Sequence, residues 1–381
     1  MVFLRNVFIV SFVAIFCTLG CGNTAQEMVL PGSRPSIDAG EYLSLQAAFD
    51  TLPEMGGVVH IPAGHFKINE PLRVIRGEVT IMGAGVATHI ENVNTDGAPA
   101  IILQHTSNEN LAMEDRPWRI RIADLRITGN PQSGHGIEAQ HIQELFLQGL
   151  TVSHNGGDGI HLFYCTEDAR VSDCLITYNA KTGLYIEGNH DTIVSANQFE
   201  ENHDAVRCID GYNLTMTGNN IDDHLGNGVV LDNFYGSLIT GNMIEQSNGI
   251  GIIMERGCYG VTVSGNILSF NQSGGVDLRS ANSIAVSGNT MQSNLLFGCR
   301  IATEVSHVTV AANTFSNAFV TPDEFPRIAD GGIVLDEPND ILIMGNSFVR
   351  PGHSSHVTAN AARGVKVFQN NSVKLADLPA P

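Results

Sequence analysis

Short runs of alternating apolar and polar residues recur along most of this chain. In residues 260–280, GVTVSGNILSFNQSGGVDLRS, the runs are VTVS, NILSF and GVDLR, separated by Gly, Asn, Gln or Ser. Alternation over so few residues is typical of a β-strand with one buried face, and no run is long enough for a helix. The pattern therefore predicts three short strands in each copy of the phrase.

The phrase returns every 22 to 25 residues until a final interval of 33 residues. One position marks the copies, and in chain order it holds Leu125, Leu150, Cys174, Asn197, Asn219, Asn242, Asn266, Asn289, Asn313 and Asn346. A propeller blade needs about 40 residues or more, so these copies are too short for one. They predict an all-β solenoid, a right-handed parallel β-helix, in which each strand pairs with its counterparts one coil away.

The recurring asparagine is expected in a bend between two strands. There its amide can bond the equivalent amide of the next coil and satisfy turning backbone. The long last interval contains FVTPDEFPRIAD, residues 319–330, which is predicted to be a loop.

The N-terminal part of the repeat region has a different pattern. Residues 44–68, SLQAAFDTLPEMGGVVHIPAGHFKI, predict a short amphipathic helix followed by a strand, which is suited to cap the open edge of the first coil. With this cap, the chain resembles the pectate-lyase-like superfamily of single-stranded right-handed β-helices. The resemblance implies one domain over residues 36–378, with a cap at 36–80 and regular coils at about 119–372. It is specific for the fold rather than for the reaction.

The first 21 residues, MVFLRNVFIVSFVAIFCTLGC, predict an export signal followed by a linker at 22–35. TLGC resembles a bacterial lipoprotein processing site with Cys21 as the lipidated residue, although Thr18 stands where that pattern usually has leucine. Ordinary secretion and a retained anchor are the alternatives. We therefore expect a periplasmic or cell-surface protein that contacts the membrane only through this segment.

Charge and cysteine content narrow the choice of partners. The chain has 20 basic and 39 acidic residues, a net charge of −19, which argues against nucleic acid as a partner but still allows a local basic cluster to bind an acidic sugar polymer. We expect a monomer.

The cysteines outside the signal are expected to be mainly buried and unpaired, at Cys165, Cys174, Cys208, Cys258 and Cys299.

Strand parity predicts which residues of the third strand point outward. The first outward column, coil by coil, is Glu138, His161, Tyr185, Arg207, Val230, Ile253, Asp277, Arg300, Val334 and Lys366. The second outward column is Gln140, Phe163, Glu187, Ile209, Asp232, Glu255, Arg279, Ala302, Asp336 and Phe368. Exposed strand positions are often charged without any function. The consecutive His161, Tyr185 and Arg207 nevertheless favour a site, and the sheet that carries them is where members of the superfamily tend to have theirs.

Four tyrosines follow these strands: Tyr164, Tyr212, Tyr235 and Tyr259. Aromatic faces on one edge can stack on sugar rings, and they can equally stack on each other to close a turn. We predict that they bind substrate together with Glu187, Asp277, Arg279 and Arg300.

The chemistry that fits best is a lyase acting on an acidic, uronate-containing polysaccharide. Arg207 supplies charge, His161 or Tyr185 transfers protons, and Asp232, Glu255 and Asp277 form a possible Ca²⁺ site. The first alternative is a glycoside hydrolase using paired carboxylates such as Asp232 and Glu255. The second is a non-catalytic glycan-binding or copper-handling periplasmic protein. The Asp-Pro-His signature of β-helix mannuronan epimerases is absent, which disfavours that reaction.

Overall fold

A computed structural model describes residues 30–105, 111–316, 332–350, 356–360 and 362–374. Arg34–Pro381 forms one compact unit and Met1–Ser33 another. The predicted export signal with Cys21, most of the predicted linker and the predicted loop at 319–330 lie outside the described residues.

Three columns of parallel strands build the unit, as the repeat predicts. The first-strand column consists of Ser36–Asp38, Gly57–His60, Val79–Met82, Ile120–Ala123, Phe146–Gln148, Arg170–Ser172, Ile193–Ser195, Thr215–Thr217, Leu238–Thr240, Thr262–Ser264, the later parts of Gly274–Ser287 and Cys299–Ala311, Asn339–Met344 and Lys366–Phe368. The second-strand column consists of Gly64–Ile68, Thr88–Asn92, Arg126–Thr128, Thr151–Ser153, Leu175–Thr177, Gln198–Glu200, Asn220–Asp222, Met243–Glu245, Ile267–Ser269, Thr290–Gln292, Thr314–Ser316, Ser347–Arg350 and Asn371–Lys374. These 13 strands show that the solenoid has about 13 coils.

The third-strand column carries the outward residues considered above. It consists of Leu72–Val74, Ile101–Leu103, Ile137–Gln140, Ile160–Phe163, Leu184–Glu187, Val206–Tyr212, Val229–Tyr235, Ile250–Glu255, Gly274–Ser287, Cys299–Ala311, Ile333–Asp336 and Val357–Asn360, with the short strand Cys258–Tyr259 beside it. Three 3₁₀ turns occur at Ala39–Glu41, Gly85–Ala87 and Met113–Asp115. Apart from these turns and one short helix, the regular secondary structure of the described residues is entirely β-strand.

The coil interior explains why these strands stack. Inward residues alternate with outward ones, and the inward columns form one continuous core of Ile, Val, Leu and Phe side chains. All five described cysteines lie buried in or beside it without disulfides, which confirms that prediction. Burial raises the pKa of the Cys165 thiol to about 12, so it stays protonated.

The asparagine position forms a continuous chain of amide bonds, here called the first ladder. In Asn266, for example, the backbone N–H and Nδ2 both donate to Oδ1 of Asn289 at 3.0 Å, and Nδ2 also donates to the Ile239 carbonyl at 3.0 Å. The ladder continues one coil beyond the predicted series, to Asn370. These hydrogen bonds give partners to buried backbone N–H and carbonyl groups at the bends, which would otherwise have none.

The predicted capping helix is Leu45–Asp50, with Ser44 as its N-cap. It packs on the open edge of Leu72–Val74, where Gln46 pairs with the backbone of Arg73. The N–H of Arg73 donates to Gln46 Oε1 at 2.8 Å, and Gln46 Nε2 donates to the Arg73 carbonyl at 3.2 Å. The helix thereby supplies the hydrogen bonds that another strand would otherwise form with this edge.

Candidate functional site

The outward columns of the third strands align as predicted over most of their length. His161 pairs with Tyr185, Tyr185 pairs with Arg207, and the first outward column stays in register as far as Val334. The alignment of these three residues on consecutive coils is therefore confirmed.

The last coil departs from the prediction. Lys366 and Phe368 belong to a first strand that pairs with Leu342–Met344, so placing them in the outward columns was wrong. The third strand of that coil is Val357–Asn360, in which Thr358 follows Val334 in the column. His356 precedes this strand, whereas a glycine precedes most of the other third strands in the regular coils.

A column of bend residues lies beside the first outward column, two positions before each third strand. It contains His135, Asp158, Thr182, Asp204 and Asn227. Two of its carboxylates accept backbone N–H groups from the next coil: Asp158 Oδ1 from Thr182 at 2.9 Å and Asp204 Oδ1 from Asn227 at 2.7 Å. Strand parity does not extend into a bend, so the outward columns missed these residues. A polar side chain at this fixed offset was the signal that could have identified them.

Two histidines approach one buried carboxylate at the start of this column. Nδ1 of His161 lies 2.9 Å from Oδ2 of Asp158, and Nδ1 of His135 lies 3.2 Å from the same oxygen. Asp158 is 5% exposed, whereas both histidines are partly exposed. Burial raises the pKa of Asp158, but the neighbouring histidines outweigh burial and hold the pKa below its usual range.

Tyr185 and Arg207 extend the cluster along the stack. The rings of His161 and Tyr185 stack with centroids 4.6 Å apart, and the Tyr185 hydroxyl donates to Glu187 Oε2 at 3.1 Å. Burial, followed by the hydrogen bond to Glu187, raises the pKa of Tyr185 to about 12. Arg207 donates to Oδ2 of buried Asp204 through Nη2 at 2.9 Å and through Nε at 3.2 Å.

These side chains line an open groove of about 560 Å³, which Lys181 and His203 also border. The groove thus combines an Asp-bound histidine, a protonated phenol and two cations within three coils. This arrangement suits proton transfer next to a bound anion.

The sequence comparison agrees with the geometry. The profile described as "Right handed beta helix region" matches residues 99–267 and 206–376. The chain belongs to this right-handed β-helix family. No curated protein sequence matches it.

Solved structures share this fold at low sequence identity. The A-module of a mannuronan C-5 epimerase from Azotobacter vinelandii is 16% identical, with a TM-score of 0.61 over 91% of this chain and 100% of that chain. DFA-IIIase from Arthrobacter chlorophenolicus is 16% identical, with a TM-score of 0.53 over 90% and 88% of the two chains. A GH87 α-1,3-glucanase from Streptomyces thermodiastaticus is 16% identical, with a TM-score of 0.54 over 92% and 72%. At this identity the likeness shows the fold alone. In the described part of this β-helix protein, no helix has the length and apolar character needed to cross a bilayer.

Two later residues of the first outward column are not exposed, although strand parity predicted that they point outward. Val230 and Ile253 are buried, and Ile253 packs with Ile250 and Phe297. The polar groove therefore ends at Arg207, and the next two residues of the column are buried apolar side chains.

The three carboxylates of the predicted calcium site are each bound to arginine instead. Asp277 is 0% exposed and accepts from Nε of Arg279 and from Nη2 of Arg300, both at 2.8 Å. Glu255 binds Nη1 of Arg279 at 2.6 Å, and Asp232 binds Arg256. Asp277, predicted to point into solvent, is therefore buried. Because arginine already neutralises each carboxylate, the structure disfavours a Ca²⁺ site there and a catalytic role for the Asp232–Glu255 pair.

The tyrosines form a stack rather than an open platform. His190, Tyr212, Tyr235 and Tyr259 stack on consecutive coils with centroids 4.8, 5.0 and 4.6 Å apart. Both faces of Tyr212 and Tyr235 are thus covered by neighbouring rings, so only their edges can meet a sugar. Tyr164 lies outside this stack, over Gly188, where an added Cβ would be 2.7 Å from the phenol ring.

Proposed function

We propose that this β-helix protein acts outside the cytoplasm on a uronate-containing polysaccharide and cleaves it by β-elimination in the groove. The observation that most supports this proposal is the hydrogen bond between His161 Nδ1 and Asp158 Oδ2 at 2.9 Å. The ring of His161 also stacks on the ring of Tyr185, which brings a phenol next to this imidazole. The solved structures that share the fold include a mannuronan C-5 epimerase and an α-1,3-glucanase, which supports a polysaccharide as the substrate class.

His161 is the proposed base. Since Asp158 accepts from Nδ1, Nε2 is left unprotonated and is able to take the C5 proton of a uronate. Asp158 acts through His161, so it is a positioning residue.

Tyr185 is the proposed acid. As the C5–H bond breaks, a C4=C5 double bond forms and the C4–O bond to the next sugar breaks. The leaving oxygen takes a proton from the Tyr185 hydroxyl, which remains protonated before the reaction. His161 then releases its extra proton to solvent, and the phenolate of Tyr185 takes a proton from solvent.

The cations of the groove are the proposed carboxylate ligands. Nε and Nη2 of Arg207 bind Asp204, which leaves Nη1 for the uronate carboxylate. Lys181 lies on the same groove and adds a second positive charge. Neutralising the carboxylate makes the adjacent C5 proton more acidic, which the elimination requires.

Hydrolysis is less well supported. It needs two available carboxyl groups on one face. In the groove Asp158 and Asp204 are both buried and already bonded, and Glu187 accepts from Tyr185.

The test is incubation of the purified protein with a panel of uronate polymers, following the ultraviolet absorbance of the unsaturated product. His161→Gln should lower the rate by roughly 10²–10⁴-fold, the usual contribution of a general base. His154→Gln is the matched control, because His154 stacks on Tyr178 away from the groove. Undiminished activity of His161→Gln would show that the base is another residue. New reducing ends without ultraviolet absorbance would show hydrolysis instead.

A further inference from the structure

His135, Asp158 and His161 also meet the spacing of a metal site. One donor atom from each lies within 4.8 Å of the others, and no other group of three His, Cys, Asp or Glu in the described ranges does so. The carboxylate oxygen lies 3.2 and 2.9 Å from the two imidazole nitrogens. Bond lengths of about 2.0–2.2 Å place two ligands of one Zn²⁺ ion roughly 3–3.5 Å apart. The spacing therefore suits a shared ion without large movement.

Neither protonation state of Nδ1 of His135 suits both of the polar groups that face this nitrogen. The backbone N–H of Asp158 donates to Nδ1 of His135 at 3.0 Å, while Oδ2 of Asp158 lies 3.2 Å from the same nitrogen. If Nδ1 is unprotonated, its lone pair faces the carboxylate oxygen. If it is protonated, its hydrogen faces the amide hydrogen. Either state has one unfavourable contact, and a cation shared by nitrogen and oxygen relieves the repulsion between them.

The ligands are held in place before any ion binds. Oδ1 of Asp158 accepts from the Thr182 N–H at 2.9 Å, which orients the carboxylate. The ring of His161 lies between those of His135 and Tyr185, with centroids 4.6 Å from each. Such support reduces the ordering needed on binding.

We propose that His135, Asp158 and His161 bind a divalent transition-metal ion such as Zn²⁺. Two imidazoles and one carboxylate match the preferences of such ions better than those of Ca²⁺ or Mg²⁺, which take oxygen ligands. The cluster borders the open groove, so water or a substrate oxygen can complete the coordination.

This inference does not rest on the proposed function, because binding is measured without substrate. The two are linked only through His161. A metal ligand cannot also serve as the free base, so a bound ion should inhibit elimination by His161.

The test uses the tag-free protein after dialysis against EDTA and removal of the chelator. Calorimetric titration with Zn²⁺ should show one equivalent bound per chain. His135→Gln and Asp158→Asn should each weaken binding by at least about 100-fold, more than the loss of a residue that only supports a ligand. His203→Gln is the matched control, since His203 borders the same groove outside the cluster, and should leave the affinity unchanged. Circular dichroism of each variant checks that the coils are retained.

Co²⁺ provides a spectroscopic check on the same variants. The wild type should show visible absorption bands from nitrogen and oxygen coordination, and His135→Gln should lose them. The inference is overturned if Zn²⁺ does not bind saturably, or if it binds both cluster variants as tightly as the wild type.

Activity separates this inference from the proposed function. Zn²⁺ inhibition reversed by EDTA supports both. Activity lost with EDTA and restored by Zn²⁺ supports the metal site and overturns His161 as the base. Zn²⁺ binding with no turnover of any uronate polymer supports the metal site and refutes the elimination.

Discussion

A buried histidine interrupts a second amide ladder and should make stability depend on pH. This ladder runs through Asn155, Asn179 and Asn202. Asn155 Nδ2 donates to Asn179 Oδ1 at 2.8 Å, and Asn179 Nδ2 donates to Asn202 Oδ1 at 2.9 Å. The next member is His224, which is 0% exposed. Its Nδ1 accepts the N–H of Asn202 at 3.2 Å, while its buried Nε2 has no hydrogen-bond partner. Protonating this ring would place a charge in the coil interior.

Burial lowers the pKa of His224 to about 4, although the nearby backbone of Asn202 and Phe199 and the charge of Asp204 oppose the shift. An unfolded histidine binds a proton below about pH 6.5, whereas the folded ring does so only near pH 4. Between these values the unfolded state binds more protons, so the free energy of unfolding falls as pH falls. At 1.36 kcal/mol per pKa unit, the loss from pH 7 to pH 4 is roughly 3 kcal/mol.

His224→Asn is the matching perturbation. An amide at this position can accept from Asn202 and donate to the Phe199 carbonyl, as Asn202 Nδ2 donates to the Ile176 carbonyl at 2.9 Å. At pH 7 we expect the variant to be more stable by about 1 kcal/mol, the typical net value of a restored hydrogen bond. By pH 4 its advantage should have grown by roughly 3 kcal/mol.

Urea unfolding followed by circular dichroism at several pH values measures this difference. Comparing the two proteins cancels most of the contribution of other groups such as Asp222, the pKa of which is raised to about 6 by partial burial and by neighbouring acids. His154→Asn, at an exposed histidine, should show no pH-dependent difference from the wild type. A stability difference between His224→Asn and the wild type that stays constant from pH 7 to pH 4 would refute the reasoning.

Three further substitutions test the site and the stack. Arg207→Lys keeps a cation beside Asp204 but loses the planar donors, so kcat/KM on the active uronate polymer should fall by about 10–100-fold with little change in the urea midpoint; an unchanged rate would exclude substrate contact. Asn266→Ala leaves the buried N–H of Asn242 unpaired and should lower the free energy of unfolding by about 2 kcal/mol or more, measured by urea unfolding. Asp277→Asn removes the charge shared by two partly exposed arginines and should cost about 1–3 kcal/mol by the same measurement, with a smaller difference at high salt.

Most of the fold could be predicted because the same pattern recurs along the chain, so each inference about one copy is supported by the others. A strand that alternates over three or four residues is ambiguous alone, yet the asparagine that recurs at nearly regular intervals aligned most of the copies. The same alignment placed His161, Tyr185 and Arg207 on consecutive coils. It failed at Lys366, because Val357–Asn360 lacks the glycine found before most other third strands, whereas Gly364 stands shortly before Lys366.

The second ladder and the bend column were not predicted, for a common physical reason. A backbone N–H group in a bend can donate to any acceptor of suitable geometry. The acceptor at this bend position is therefore Asn202 Oδ1 in one coil, His224 Nδ1 in the next and Asn271 Oδ1 in a later one. Likewise, His135 and Asp158 fill equivalent bend positions with different chemistry. Residue identity is therefore a poor guide where only one acceptor atom is required.

The outward residues also vary from coil to coil, from the polar groove to the buried apolar side chains that follow it, because the fold does not depend on them. The interior columns and the ladders hold each coil, so outward residues are constrained mainly by the residues one coil away. His161 stacks on Tyr185, its register partner one coil away, whereas Ile253 packs on Phe297, which lies in the bend before a third strand. A site can thus be assembled over three consecutive coils without altering the rest of the stack. For the same reason, substitutions in the groove should change chemistry or metal binding far more than they change the fold.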